Sequence, residues 1–335
     1  MRIAVDAMGG DFAPREIVRG AVEAARGLPG ISKLLLVGER SAVQRELDTC
    51  GPMPGNVEIC HAAEVVGMDE APAQAVRRKK DSSIGRAVEL VRLGEADAMV
   101  SAGNTGAVVV SATLKLRTLE AVQRPAIATV MPTQDRPFVL IDAGANMDCT
   151  PDLLRQFGVM GSIYSRVILG QPKPVVGLLN IGGEDVKGNE ITKDAFKLLN
   201  AANLNFRGNV EGHDLYLGHT DVVVCDGFVG NIVLKTSESV AHAIGHWMKQ
   251  EFRRYPWRML GTTLLSGALK AMKKRMDPEM HGGAPLLGVN GVCIITHGAS
   301  THRAVFHSIR VACEAVANRV NALISSELIK MEGGK

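Results

Sequence analysis

Along the chain, short apolar runs alternate with stretches in which apolar residues recur every three or four positions. RIAVD (2–6), KLLLVG (33–38), ADAMVSA (96–102), AIATVMP (126–132), FVLIDA (138–143), PVVGLLN (174–180), DVVVCD (221–226) and VCIITHG (292–298) predict strands. REIVRGAVEAARG (15–27), SSIGRAVELVRLG (82–94), PDLLRQFGVMGSIYSRVIL (151–169), TKDAFKLLNAAN (192–203) and HRAVFHSIRVACEAVANRVNALI (302–324) predict helices. Near-continuous apolar strands separated by helices imply a mostly parallel sheet covered on both faces, a doubly wound α/β sandwich. The loops CGPMPGN (50–56), GQPKP (170–174) and DPEMHGGAPLLG (277–288) are punctuated by Pro and Gly and mark possible lobe boundaries. With no repeat or low-complexity tract, residues 1–335 read as one unit.

Composition narrows the classes of function. A net charge of +3 and 4% aromatic residues argue against nucleic acid, which needs a basic surface and stacking rings. The six cysteines (50, 60, 149, 225, 293 and 313) show no CxxC spacing and sit in or beside apolar segments, so free thiols in a reducing cytoplasm are expected. The sequence enters a strand at once from MRIAVDAMGG, and no apolar run approaches the ~18 residues of a spanning helix. A cytoplasmic or peripheral protein is expected.

The chemistry resides in the turns. SAGNTGAVVV (101–110) places Gly-Asn-Thr-Gly between a strand and a helix, and Gly with Asn recurs in DAGAN (142–146), KGNE (187–190), GNVEG (208–212) and GFVGN (227–231). Gly admits close ligand approach, helix N-termini offer unpaired N–H groups, and Asn adds a donor without charge, a combination suited to an oxyanion or a phosphate. Because strand carboxyl ends line one crevice in doubly wound sheets, the five turns are expected to meet at one site. Asn104, Asn146, Asn189 and Asn231 are its candidate donors. Lys187 and Lys193 flank the Asn189 turn as candidate phosphate partners, and His297, in ITHGAS, stands where a strand ends.

Other chemistries find less support. No two glycines stand one residue apart, so GxGxxG is absent. Gly183 and Gly188 have Walker A spacing, but Asn189 occupies the Lys position. There is no GxSxG, and His242 and His246 have metal-pair spacing without the HExxH Glu, so neither metal nor cofactor is expected.

Residues 247–277 stand apart. Both tryptophans fall there, and Trp257, Leu260, Leu264 and Leu265 lie among Lys270, Lys273, Lys274 and Arg275. This mixture predicts a protruding amphipathic helical segment attracted to anionic lipid, to an acidic partner, or to a second subunit.

In order, MRIAVDAMGGDFAP, RRKKDSSI, SAGNTGA, DAGAN, KGNEITK, GNVEG, VVVCDGFVGNIVLK, GGAPLLG and HGAS resemble the bacterial phosphate acyltransferase family PlsX over nearly the whole chain. The resemblance implies transfer of a fatty acyl group from acyl carrier protein to inorganic phosphate, giving acyl phosphate for phospholipid synthesis. It further implies a homodimer, a fold related to isocitrate and isopropylmalate dehydrogenases, no cofactor, and peripheral membrane contact near the downstream glycerol-3-phosphate acyltransferase. Carried onto the motifs, it marks Asn104, Lys187, Asn189, Lys193, Asn231 and His297 as catalytic. As phosphate- or substrate-binding it marks Asp6, Gly9, Gly10, Asp11, Ser101, Gly103, Thr105, Gly106, Asp142, Gly144, Asn146, Gly188, Asn209, Glu211, Asp226, Gly227 and Gly230. Gly183 and Ala299 stand where the family pattern carries hydroxyls. A phosphotransacetylase-like enzyme using acyl-CoA is the alternative, and a non-catalytic membrane scaffold would leave the Gly-Asn turns unexplained.

Overall fold

The structure is a computed structural model that describes residues 1–255, 257–258, 261, 264–276 and 278–333, with backbone alone at 273–276, 278, 281, 332 and 333. Its strands are β1 (Arg2–Asp6), β2 (Lys33–Gly38), β3 (Val57–His61), β4 (Ala98–Ser101), β5 (Ala126–Met131), β6 (Phe138–Ile141), β7 (Val175–Leu179), β8 (Asn205–Val210), β9 (Val222–Val224), β10 (Ala284–Leu287) and β11 (Val292–Ile295). The helices are α1 (Arg15–Gly27), α2 (Arg40–Thr49), α3 (Pro72–Arg78), α4 (Ser83–Arg92), α5 (Thr105–Lys115), α6 (Pro151–Ile168), α7 (Glu190–Ala201), α8 (Gly227–Arg253), α9 (Ser266–Met276), α10 (His302–Ala317) and α11 (Val320–Gly333). All eight predicted strands and all five predicted helical stretches appear. The last stretch is broken by Arg319, which takes φ +51° and separates α10 from α11.

Among the described residues the strands form one sheet in the order β3-β2-β1-β4-β11-β10-β5-β6-β9-β7-β8. The α/β class holds, with most pairings parallel. The pairings of β10 with β11, of β10 with β5 and of β5 with β6 are antiparallel. Three reversals in succession turn the block β3-β2-β1-β4-β11 against the block β6-β9-β7-β8, so their carboxyl ends lie at opposite edges. This overturns the premise that all strand ends line one crevice. Of the three proposed boundary loops, only DPEMHGGAPLLG lies at the junction, where it supplies β10.

Covering the first block on one face are α1 and α10, whose Ile17, Val18, Val22, Val305 and Ile309 pack on Ile3, Val5 and Val100. On the other face α4 and α5 pack Ile84, Val88, Ala107 and Val108 onto Met99 and Ile295. The second block buries Phe157, Met160 and Tyr164 of α6 with Ile324 and Leu328 of α11 on one side. Its other side is more lightly covered, in part by Val233 and Leu234 of α8. Only Gly227 and Gly230 of the 27-residue α8 are fully buried, so most of a rod about 40 Å long has no intramolecular cover. Phe228, Ile232, Val240, Ile244 and Trp247 are among its exposed apolar residues.

Candidate active site

At the carboxyl edge of the first block, the turns after β1 and β4 are knitted together by Asp6, and the turn after β11 joins them through Asp11 and Gly298. The Asp6 carboxylate is fully buried, accepts from the Ser101 hydroxyl at 2.6 Å and from Met8 N at 3.2 Å, and is also bonded by Ser83 and Gly9 N. Burial raises its pKa against those hydrogen bonds. A Cβ at Gly9 would stand 2.6 Å from Gly103 N and 2.4 Å from Asp6 Oδ2, so only glycine lets these two turns touch. Gly10 lies against Gly298, and Asp11 N donates to the Gly298 carbonyl at 2.8 Å. Ser101 also accepts from Gly103 N at 3.0 Å, which leaves its hydroxyl committed to the frame.

Asn104 caps α5 by accepting from Ala107 N at 3.0 Å, while its amide nitrogen lies 3.2, 3.0 and 3.1 Å from the carbonyls of Gly67, Met68 and Glu70. Its donors are therefore consumed in pinning the 67–70 loop, and the expected free Asn104 donor is not found. The first turn of α5 remains open: Thr105 is exposed, and the N–H groups of Thr105 and Gly106 and the Thr105 hydroxyl have no partner among the described residues. In the third turn, His297 Nδ1 accepts from Ala299 N at 3.1 Å, which sets the neutral ring with its proton on Nε2. Nε2 lies 4.0 Å from Glu238 of α8, and the ring is 58% exposed.

At the opposite edge, in the second block, Asp142 plays the part of Asp6. It accepts from Ile127 N, Gly144 N, Ala145 N, Asn146 N and Asn146 Nδ2 at 2.7 to 3.1 Å and thereby shapes the DAGAN loop. Its pKa too is raised by burial, opposed by those bonds. Asn146 gives its amide to Asp142 and to the Pro125 carbonyl at 2.7 Å, so it also holds structure. One strand over, Asp226 caps α8 by accepting from Val229 N at 2.8 Å, and Gly227 N donates to the Asn146 carbonyl at 2.7 Å. A Cβ at Gly230 would stand 1.9 Å from the Asp142 carbonyl oxygen, a contact that seats the first turn of α8 against the DAGAN loop. Asn231 follows it, with an amide that has no partner among the described residues and that lies against Gly144.

The remaining predicted residues follow β7 and β8 at the same edge. Asn189 caps α7 by accepting from Thr192 N at 2.8 Å and keeps its amide nitrogen unpaired among the described residues. Gly188 precedes it with φ +96°. Lys187 is 3.9 Å from Glu184, and exposed Lys193 has no partner among the described residues. GNVEG departs from the expected strand-turn-helix setting: Gly208 and Asn209 lie inside β8, Asn209 Nδ2 donates to the Glu184 carbonyl at 2.8 Å, and Glu211 accepts from Gly183 N at 3.2 Å.

The five turns thus divide four to one between opposite edges, and α8 joins them. It starts at Asp142, and Leu234 reaches the cluster containing Ala107 and Val108 of α5. Glu238, seven residues or about 10 Å along the axis from Asn231, then faces His297. Glu238 carried no motif and was not legible from the sequence. Two thiols lie beneath the Asp142 loop. Cys149 Sγ is 3.7 Å from the Asn146 carbonyl and Cys225 Sγ 3.6 Å from the Asp142 carbonyl. Burial pushes Cys149 up to about 12 and Cys225 well above an ordinary thiol.

In the 247–277 segment, Trp257, Leu264, Leu265 and Lys270 are exposed, and the Tyr255 and Trp257 rings stack at 4.7 Å. Leu260 lies outside the described residues, as do the side chains of Lys273, Lys274 and Arg275. Among the described residues no helix is long and apolar enough to cross a membrane, and no group of His, Cys, Asp and Glu is arranged to hold a metal ion.

Comparison with known proteins adds three findings. A family model described as fatty acid synthesis protein matches residues 1–323. A phosphate acyltransferase of Pelotomaculum thermopropionicum is 51% identical over 332 residues, 99% of this chain and 96% of that protein, and one of Desulforamulus reducens is 50% identical over 333 residues, 99% of each. In structure, a phosphotransacetylase of Streptococcus pyogenes aligns with a TM-score of 0.64 at 18% identity, over 95% of this chain and 94% of that one, a likeness of fold.

Proposed function

The chain belongs to the fatty acid synthesis protein family, as its ordered motifs imply, and from that premise we propose that it transfers a fatty acyl group from acyl carrier protein to inorganic phosphate. The acyl phosphate formed feeds phosphatidic acid synthesis. The observation that carries this reading is the course of α8, which starts with Asn231 at the Asp142 loop and brings Glu238 to 4.0 Å from His297 Nε2: Asn231 and the first turn of α5 keep donors with no partner among the described residues, while the nearby thiols are buried and protonated. At a pKa of about 12 only about one Cys149 in 10⁵ is thiolate at pH 7, too few to serve as an acyl acceptor.

Phosphate itself is then the nucleophile. Its oxygen attacks the thioester carbonyl carbon, the carbonyl oxygen takes up negative charge, and collapse breaks the C–S bond and releases the carrier thiolate. The Asn231 amide binds the phosphate, with Lys187 and Lys193, one strand over, offsetting its charge. The first turn of α5 receives the carbonyl oxyanion. His297, neutral with hydrogen on Nε2, donates a hydrogen bond without surrendering a proton, since a thiolate leaves unprotonated. Asp6 and Asp142 touch neither reactant in this reading; they shape the loops that present the donors.

We assign the uncovered apolar face of α8 to a homodimer, and Trp257, Leu264 and Leu265 to reversible contact with an anionic membrane, where a long-chain product is released without exposing its chain to water. The test supplies acyl carrier protein and CoA thioesters in parallel and traps acyl phosphate with hydroxylamine. Phosphate-dependent product from the carrier thioester is expected. Thioester hydrolysis independent of phosphate, or no turnover with either donor, overturns the proposal.

A further inference from the structure

Four consecutive cations, Arg77, Arg78, Lys79 and Lys80, close α3 and the turn after it. Lys79 is spent, pairing with Glu70 and donating to the Val65 carbonyl at 2.7 Å. Arg77, Arg78 and Lys80 are exposed and have neither ion-pair nor hydrogen-bond partner among the described residues. Elsewhere the helix arginines are commonly neutralised locally, Arg19 by Glu23, Arg92 by Glu89 and Arg310 by Glu314. Arg77, Arg78 and Lys80 thus form a local patch of positive charge that no neighbouring carboxylate among the described residues neutralises.

Its position ties it to the first turn of α5. Pro72, the first residue of α3, packs on the first turn of α5, where a Cβ at Gly106 would be 2.5 Å from Pro72 Cγ. The Asn104 amide fixes the carbonyls just ahead of α3. Arg77 and Arg78 therefore lie only about 9 Å along the helix axis from the open N-terminus of α5. Between that opening and the outer surface, Met68 is 44% exposed and approaches Gly298 in the His297 turn.

We infer that Arg77, Arg78 and Lys80 form the docking surface for a small acidic protein that delivers the acyl thioester to the first turn of α5. The inference rests on the carrier-thioester reading above and assigns it a place on the molecule. A carrier presents its thioester on a flexible arm and must be held at arm's length from the reacting atoms, which a charged rim outside the α5 turn provides. Lipid fits this patch less well. The exposed neighbours on α3 are Ala73 and Gln74, and an interfacial helix needs large apolar residues to insert.

The experiment compares wild type with R77E/R78E and, as a milder form, R77Q/R78Q, using carrier thioester, CoA thioester and vesicles containing anionic lipid. The expected result is a rise of at least about tenfold in KM for the carrier thioester with kcat retained, a flatter salt dependence, and unchanged kinetics with the CoA thioester. A carrier variant with acidic surface residues changed to Lys is expected to recover part of the loss against R77E/R78E. Equal losses with both donors, or no change with either, overturn the docking assignment. So does loss of vesicle binding with carrier kinetics intact, which would make the patch a lipid contact. If wild type uses neither donor, the functional reading itself fails; if it uses the carrier and the variants match it, the docking assignment fails alone.

Discussion

Asn104 and Asn231 occupy matching places in two Gly-Asn turns, yet the structure separates their roles, and alanine at each position tests that separation. Asn104→Ala removes an N-cap, worth about 1 kcal/mol, and the donors to three loop carbonyls, worth about 2 kcal/mol together. A loss of about 3 kcal/mol corresponds to a fall in Tm of about 4 °C for 335 residues, given an unfolding entropy near 2 cal/mol/K per residue. Asn231→Ala removes an amide with no partner among the described residues, so its effect on stability should stay within about 0.5 kcal/mol. Turnover should instead fall by about 10² or more, the usual result of losing one preorganised donor to developing charge. Calorimetry and the phosphate-dependent acyl transfer assay read the two effects independently. The reasoning fails if Asn231→Ala keeps full turnover, or if Asn104→Ala melts like wild type.

Other consequences are equally open to measurement. Cys149→Ala and Cys225→Ala should retain acyl transfer, because neither thiol ionises near neutrality; abolition of turnover in a variant that still folds would restore a covalent route. Gly230→Ala places a methyl 1.9 Å from the Asp142 carbonyl oxygen, so α8 must shift, with an expected loss of about 3 kcal/mol or more and a fall in turnover of about 10². Lys→Met at whichever of Lys187 and Lys193 binds phosphate should raise KM for phosphate more than KM for the acyl donor; two variants with normal phosphate dependence would make the pair plain surface. Glu16 accepts from His302 N and Nδ1 at 3.0 and 2.9 Å, and its pKa is lowered, first by the backbone bond and then by the ring. The stability it supplies is present above the unfolded carboxyl value near 4.3 and is lost as pH falls through the folded value, so the Tm of wild type should fall more on acidification than that of Glu16→Gln.

What the sequence made legible follows from what periodicity can encode. Central strands such as KLLLVG and FVLI are buried on both faces and announce themselves as apolar runs. VEICH and NFRGNV form β3 and β8, the two sheet edges, where one-sided exposure admits Glu, Arg and Asn and blurs the pattern. APLL of β10 was hidden inside a Pro/Gly loop, although it is one of the strands that reverse the sheet direction. Which Asn keeps a free amide was illegible for a related reason. The carbonyls that claim Asn104 come from residues 34 to 37 positions away, and one that claims Asn146 comes from 21 positions away.

The reversal of the sheet bears directly on how a two-substrate site can be built. Had both blocks run parallel, the Gly-Asn turns would lie side by side along one edge. With the blocks opposed, the four turns of the second block gather at one edge, while the α5 turn and His297 stand at the other. A single helix, seated by Gly230 on the Asp142 loop and passing Glu238 beneath His297, then sets the separation between them. Helix geometry makes that separation stiff, about 10 Å between Asn231 and Glu238. The glycine at position 230 therefore matters to both halves of the proposed reaction: any displacement of α8 moves the phosphate donors directly and changes their distance from the oxyanion turn at the far edge.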